Sequence, residues 1–179
     1  MPEPRAHPPG FRATTPAAFR VPSLMDLPDR SNGRPLREGT HFALELPSDL
    51  RLIDPAIGYL AGRLRDYGYE GSRLTLNFRV GVSEALANAM IYGNGRDPAK
   101  RVRVEVELAL ERVSVVVRDE GNGFDPGDVP DPTLPENLEQ PGGRGIFLIR
   151  ELMDEVDFHG CGNCVRLVLY RQEPLSRAS

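Results

Sequence analysis

Lysine is almost missing from this chain: Lys100 is the only one among 22 basic residues. It lies between a turn and a strand-like run with no Gly-x-x-x-x-Gly before it, which excludes both a Walker phosphate loop and the strand lysine of eukaryotic-type kinases. Tryptophan is absent, and there are 2 cysteines, Cys161 and Cys164. Their Cys-Gly-Asn-Cys run lies in a glycine-rich turn between strand-like segments rather than at a helix N-terminus, so nothing there lowers a thiol pKa as a redox pair requires. With only His159 nearby, a structural zinc site lacks ligands, and a plain hairpin turn is expected. No stretch approaches the roughly 18 to 20 uninterrupted apolar residues of a membrane helix, and no charged-then-apolar secretion pattern opens the chain. A cytoplasmic protein with no membrane partner is therefore expected. The net charge of −4 and scattered arginines offer no clustered cations for phosphate backbones, so no nucleic-acid partner is expected either.

What is present fits one domain with extras: 179 residues, 40% hydrophobic and 27% charged. Residues 1–38 carry Pro2, Pro4, Pro8, Pro9, Pro16, Pro22, Pro28 and Pro35 without apolar periodicity and read as a disordered tail. The domain is expected at 39–172, with a short C-terminal tail at 173–179. Alternating Phe42, Leu44 and Leu46 predict a strand. Ser48 and Asp49 offer caps for a helix buried through Leu50, Ile53, Ile57, Leu60, Ala61 and Leu64. A second helix is predicted from Leu74 to Tyr92, buried through Phe78, Val82, Ala85, Leu86 and Ala89 and stopped by Gly93-Asn94-Gly95. Val102–Leu108 and Val113–Val117 alternate as an antiparallel hairpin. Residues 127–140 form a long polar loop, Gly143 to Met153 a third helix, and Asp154–Phe158 with Val165–Tyr170 a last hairpin. The order predicts an α+β two-layer sandwich, with a mixed, mostly antiparallel sheet and helices on one face.

Three segments carry chemistry. Glu84 and Asn88, four apart on a helix, stack on one face outside its apolar stripe, flanked by Ala85, Ala87 and Ala89 that leave room for a ligand. An amide oxygen suits Mg²⁺ already bearing phosphate charge, and a Glu can orient a hydroxyl, though a surface pair would have the same spacing. Asp119-x-Gly121-x-Gly123 follows a strand; its carboxylate can accept from the exocyclic amine of adenine while repelling the guanine carbonyl, or can simply cap the turn. Gly142-Gly-Arg-Gly145 opens a helix, where free amides attract phosphate and Arg144 could add a charged donor.

In this order the motifs resemble the Bergerat-fold, histidine-kinase-like ATPases, and more narrowly the anti-sigma factor serine/threonine-protein kinases. The resemblance covers residues 40–171 and rests on Val82-Ser-Glu-Ala-Leu-Ala-Asn-Ala89, Val117-Arg-Asp-Glu-Gly-Asn-Gly-Phe-Asp-Pro126 and Gly142-Gly-Arg-Gly-Ile-Phe-Leu-Ile-Arg-Glu-Leu-Met-Asp-Glu-Val156. It implies ATP and Mg²⁺ as cofactors, Glu84 as catalytic base and Asn88 as metal ligand. It further implies Asp119 as adenine reader, Gly121, Gly123, Gly143 and Gly145 as nucleotide-contacting backbone, and 127–141 as a lid. The implied partners are a sigma factor and an anti-sigma antagonist carrying the acceptor serine, with the kinase a homodimer and transcription the regulated output. Tyr92 stands where many relatives have His, and Gly162-Asn163 where they have Gly-Thr; Asn163 can still hydrogen-bond at the nucleotide site. A regulatory nucleotide-binding module without kinase activity, or a detached histidine-kinase ATPase domain, are the alternatives.

Overall fold

Strict alternation of Val with Arg and Glu makes Arg101–Leu108 a strand with one dry face, and its register shows what that face meets. In the computed structural model, which describes residues 40–130, 132, 137 and 143–171, Val102 and Val104 oppose Leu46 and Leu44 of β1 (Thr40–Pro47). The Arg101–Leu108 strand is β2. On its other side Val104, Val106 and Leu108 oppose Val117, Val115 and Val113 of β3 (Arg112–Arg118). β5 (Cys164–Tyr170) pairs with β3, and β4 (Glu155–His159) lies outside it, giving the order β1-β2-β3-β5-β4. Every pairing is antiparallel. The valines and leucines of this face are buried, while Arg103 and Glu105 on the opposite face are exposed.

Helices cover the apolar face. α1 (Ile53–Asp66) buries Ile57, Leu60 and Leu64, and α2 (Ser72–Asn88) buries Phe78, Val82 and Leu86 and packs on β3 and β5. α3 (Arg144–Leu152) buries Ile149 and packs along α2. Each such side chain contributes about 1.5 to 3 kcal/mol on leaving water, so the layer is held by the stripes already visible in the sequence. The result is the expected α+β architecture, and among the described residues no helix is long and apolar enough to cross a membrane. The tails expected at 1–38 and 173–179, Gly142, and most of the segment 127–141 lie outside the described residues.

Two helix boundaries differ from expectation. Asp49 caps a 3₁₀ turn at Leu50–Leu52, and α1 begins only at Ile53, because Pro55 lacks an amide hydrogen and is tolerated only in a first turn. α2 does not run as an α-helix to Tyr92: Ala89–Gly93 form a π turn, closed by the Asn94 amide on the Ala89 carbonyl at 2.7 Å. The wider turn is stabilised by tertiary hydrogen bonds to the Asn94 side chain, which outweigh helix propensity.

Candidate functional site

One stripe of α2, made by Arg73, Asn77, Gly81, Glu84 and Asn88, meets the chain running from α3 into β4. Arg73 pairs with Asp154 at 2.5 Å, and the Asn77 amide donates to the Leu152 carbonyl at 2.7 Å. A methyl on Gly81 would come within 2.7 Å of the Met153 sulfur. Burial pushes the Asp154 carboxyl up, but hydrogen bonds from Arg73 and the Tyr170 amide outweigh it and hold the group below its ordinary value. These contacts pin the far end of α3 to the early turns of α2, so its N-terminus arrives at Glu84 and Asn88.

There the approach is close enough to require glycine. A Cβ on Gly145 would lie 2.8 Å from Glu84 Oε2 and 3.3 Å from both amide atoms of Asn88. Gly143, the N-cap of α3, has φ 75° and supplies no side-chain cap, which leaves the helix start as an amide-lined opening facing a carboxylate and an amide.

Asp119 closes the other end. Its Oδ1 accepts the Gly121 amide at 2.7 Å, and its own amide donates to the Asn163 carbonyl at 3.0 Å. Burial raises its pKa, opposed by the Gly121 hydrogen bond and by Lys100. Gly93 abuts this carboxylate so tightly that a Cβ would overlap it. The Asn163 side-chain amide nitrogen is turned onto the carbonyls of Asp119 and Gly121, at 3.5 and 3.4 Å, and so braces the turn from behind. Gly123 packs on the Cys161 carbonyl and Gly162 on the Phe124 backbone, interlocking the two glycine turns. Cys161 is exposed and Cys164 buried, both as free thiols, and burial pushes the Cys164 thiol up.

Between the two ends lies a cavity of about 770 Å³, within the range of small-molecule sites. Glu84, Asn88, Gly143, Arg144 and Gly145 line one end and Asp119, Gly123 and Asn163 the other, with Val117, Ile149 and Val165 apolar between them. Phe158 joins the wall, edge-on to Phe124 with ring centroids 5.5 Å apart. Asp128, Val129 and Pro130, at the start of the expected lid, also border it, as does Tyr92, which is 73% exposed. Gly121 is the one predicted contact that does not line the wall; it packs on Gly93, and its amide donates to the Asp119 carboxylate. Gly93, Asn94 and Gly162 are site residues that periodicity alone misses; the Gly93-Asn94-Gly95 and Gly160-Cys-Gly162 runs are the signal the sequence carries for them.

A pocket between an open antiparallel sheet and its helices, bounded by a helical Glu/Asn pair, an Asp-x-Gly-x-Gly turn and a glycine-led helix, defines a class of nucleotide-binding domain. A family profile described as a histidine kinase-like ATPase domain matches residues 46–169, and the chain belongs to that family. Within it, the chain is similar to the serine-protein kinase RsbW of Oceanobacillus iheyensis, 25% identical over 122 residues covering 65% of this chain and 77% of the relative. It is also 31% identical to RsbW of Bacillus subtilis over 103 residues, 54% of this chain and 64% of the relative. The anti-sigma F factor of Oceanobacillus iheyensis is 34% identical over 79 residues, 42% of this chain and 53% of the relative. The chain thus spans between about half and about three quarters of the length of these curated relatives.

Proposed function

We propose that this protein binds ATP with Mg²⁺ and acts in the cytoplasm as a serine kinase of the anti-sigma type, transferring the γ-phosphoryl group to a serine of an antagonist protein. The observation that carries the proposal is one cavity shared by Gly145, Glu84 and Asn88 at one end and the Asp119 carboxylate at the other. Similarity to proteins named serine-protein kinase and anti-sigma factor supports the substrate class.

In this reading Asp119 accepts the adenine amine, the apolar walls hold the base, and the amides at the start of α3 with Arg144 hold the phosphates. The hard amide oxygen of Asn88, beside an approach only glycine permits, fits a Mg²⁺ ligand. When bound, the ion neutralises charge on the transferring phosphoryl group. Glu84 takes the proton of the attacking serine hydroxyl, and positioning supplies most of the remaining acceleration. Phosphoryl transfer would release the antagonist from a kinase dimer that otherwise holds a sigma factor inactive.

The direct test is incubation with labelled ATP and candidate antagonists. Transfer to serine that is lost in Glu84→Ala supports the kinase reading. Absence of transfer by the native protein, while calorimetry still records ATP binding, reduces it to a regulatory nucleotide-binding module.

A further inference from the structure

Resting on the nucleotide reading of the cavity, we infer that Asn94 is a positioning residue for purine selection, locking the turn at Asp119 to three other segments so that its carboxylate stays aimed into the cavity. The side chain is 2% exposed and its polar atoms are engaged on both sides. Its Nδ2 donates to Ser48 Oγ at 2.7 Å and to the Arg101 carbonyl at 2.9 Å, while its Oδ1 accepts the Glu120 amide at 2.8 Å. The Glu120 carboxylate closes the ring by accepting the Arg101 amide at 2.7 Å. The end of β1, the π turn after α2, the start of β2 and the turn after β3 therefore converge on one buried amide.

The geometry requires two donors and an acceptor in one plane, which Asp, Ser and Ala do not supply. The Glu120 N–H shares a rigid peptide plane with the Asp119 carbonyl, so holding it fixes the peptide leaving Asp119. Gly93, the residue before Asn94, simultaneously bounds the carboxylate itself. A single carboxylate separates adenine from guanine only while it stays on the exocyclic edge of the base. Freeing this turn therefore costs discrimination as well as affinity, because misplaced acceptors leave polar atoms imperfectly paired.

The test is calorimetry of the full chain with Mg²⁺ and either ATP or GTP, comparing the native protein with Asn94→Ala and Glu120→Ala. Tyr69→Phe, which removes hydrogen bonds to the Ala109 and Arg112 carbonyls in the distant β2–β3 turn, controls for destabilisation. Each ring variant is expected to lower the ATP-over-GTP affinity ratio by about tenfold. Tyr69→Phe should lower the melting temperature and leave that ratio unchanged. Glu120 is exposed, so Glu120→Ala carries the test if Asn94→Ala fails to fold. Unchanged ratios in the folded ring variants overturn the positioning role and leave the nucleotide reading standing. A native protein that binds neither nucleotide overturns both.

Discussion

The two ends of the cavity are built in opposite ways. The end where α2 meets α3, proposed above to hold the phosphates, depends on one helix stripe, from Arg73 through Asn77, Gly81 and Glu84 to Asn88, meeting a chain that runs antiparallel to it. The end proposed to hold the base has no such period; Asp119 is set by Gly93 and Asn94, by Gly121 of its own turn and by Asn163 from a third segment. Their anchoring carboxylates differ accordingly. Asp154, paired with Arg73, has its pKa lowered, whereas Asp119 is half-buried and the burial raises its pKa. One end uses a charge for stability, and the other retains a destabilised charge that a ligand can use.

The largest expected effect separates chemistry from binding at the phosphate end: Glu84→Gln should cut phosphoryl transfer about a thousandfold in a labelled-ATP assay while calorimetric ATP affinity barely changes. Gly145→Val strikes the same end sterically, since even a Cβ there lies 2.8 Å from Glu84 Oε2. Phosphoryl transfer should fall about a hundredfold in the same assay, the cost expected when reacting groups shift by about an ångström.

At the base end, Asp119→Asn should weaken ATP binding about tenfold by replacing a charge-assisted acceptor with a neutral one. The native protein should also lose ATP affinity as pH falls through the raised Asp119 pKa, because the protonated group no longer accepts with full charge; titration calorimetry should find that step missing in Asp119→Asn. For stability the sign is opposite. The Asp119 contribution is fully present below its ordinary value near 3.8 and is lost as pH rises through the raised native value. Asp119→Asn should therefore melt no lower than the native protein at pH 7.

The smallest effect is expected from Arg73→Ala, about 0.5 to 1 kcal/mol in denaturant unfolding for a partly exposed pair. Asp154 contributes above its ordinary value near 3.8 and loses that contribution as pH falls through the lowered native one, so this difference should vanish in acid. Together Asp119→Asn and Arg73→Ala test whether the two carboxylates bias stability in opposite directions.

Much of the fold is legible in the residue pattern. Alternating valines in β2 and β3 and the three-and-four spacing of α1 and α2 dictate the layers, because burial enforces those periods whatever the connections. Glu84, Asn88, Asp119 and Gly145 can be picked out because their chemistry is local: a helix face, a turn carboxylate, an open helix start. The π turn is not legible, since Ala89-Met-Ile-Tyr92 is good helical sequence and the ring around Asn94 overrides it. Nor is the placement of Asn163, which lines the cavity while its Nδ2 also reaches the Asp119 and Gly121 carbonyls.

Sequence alone thus determined which residue types are available and on which faces of their elements they sit, because periodicity is a property of the local backbone. Three-dimensional packing decided which of them share a cavity, how close α3 comes to Glu84, and the charge poise of Asp119. Those depend on approach distances and burial between segments far apart in the chain, where a missing Cβ or one buried amide outweighs any local preference.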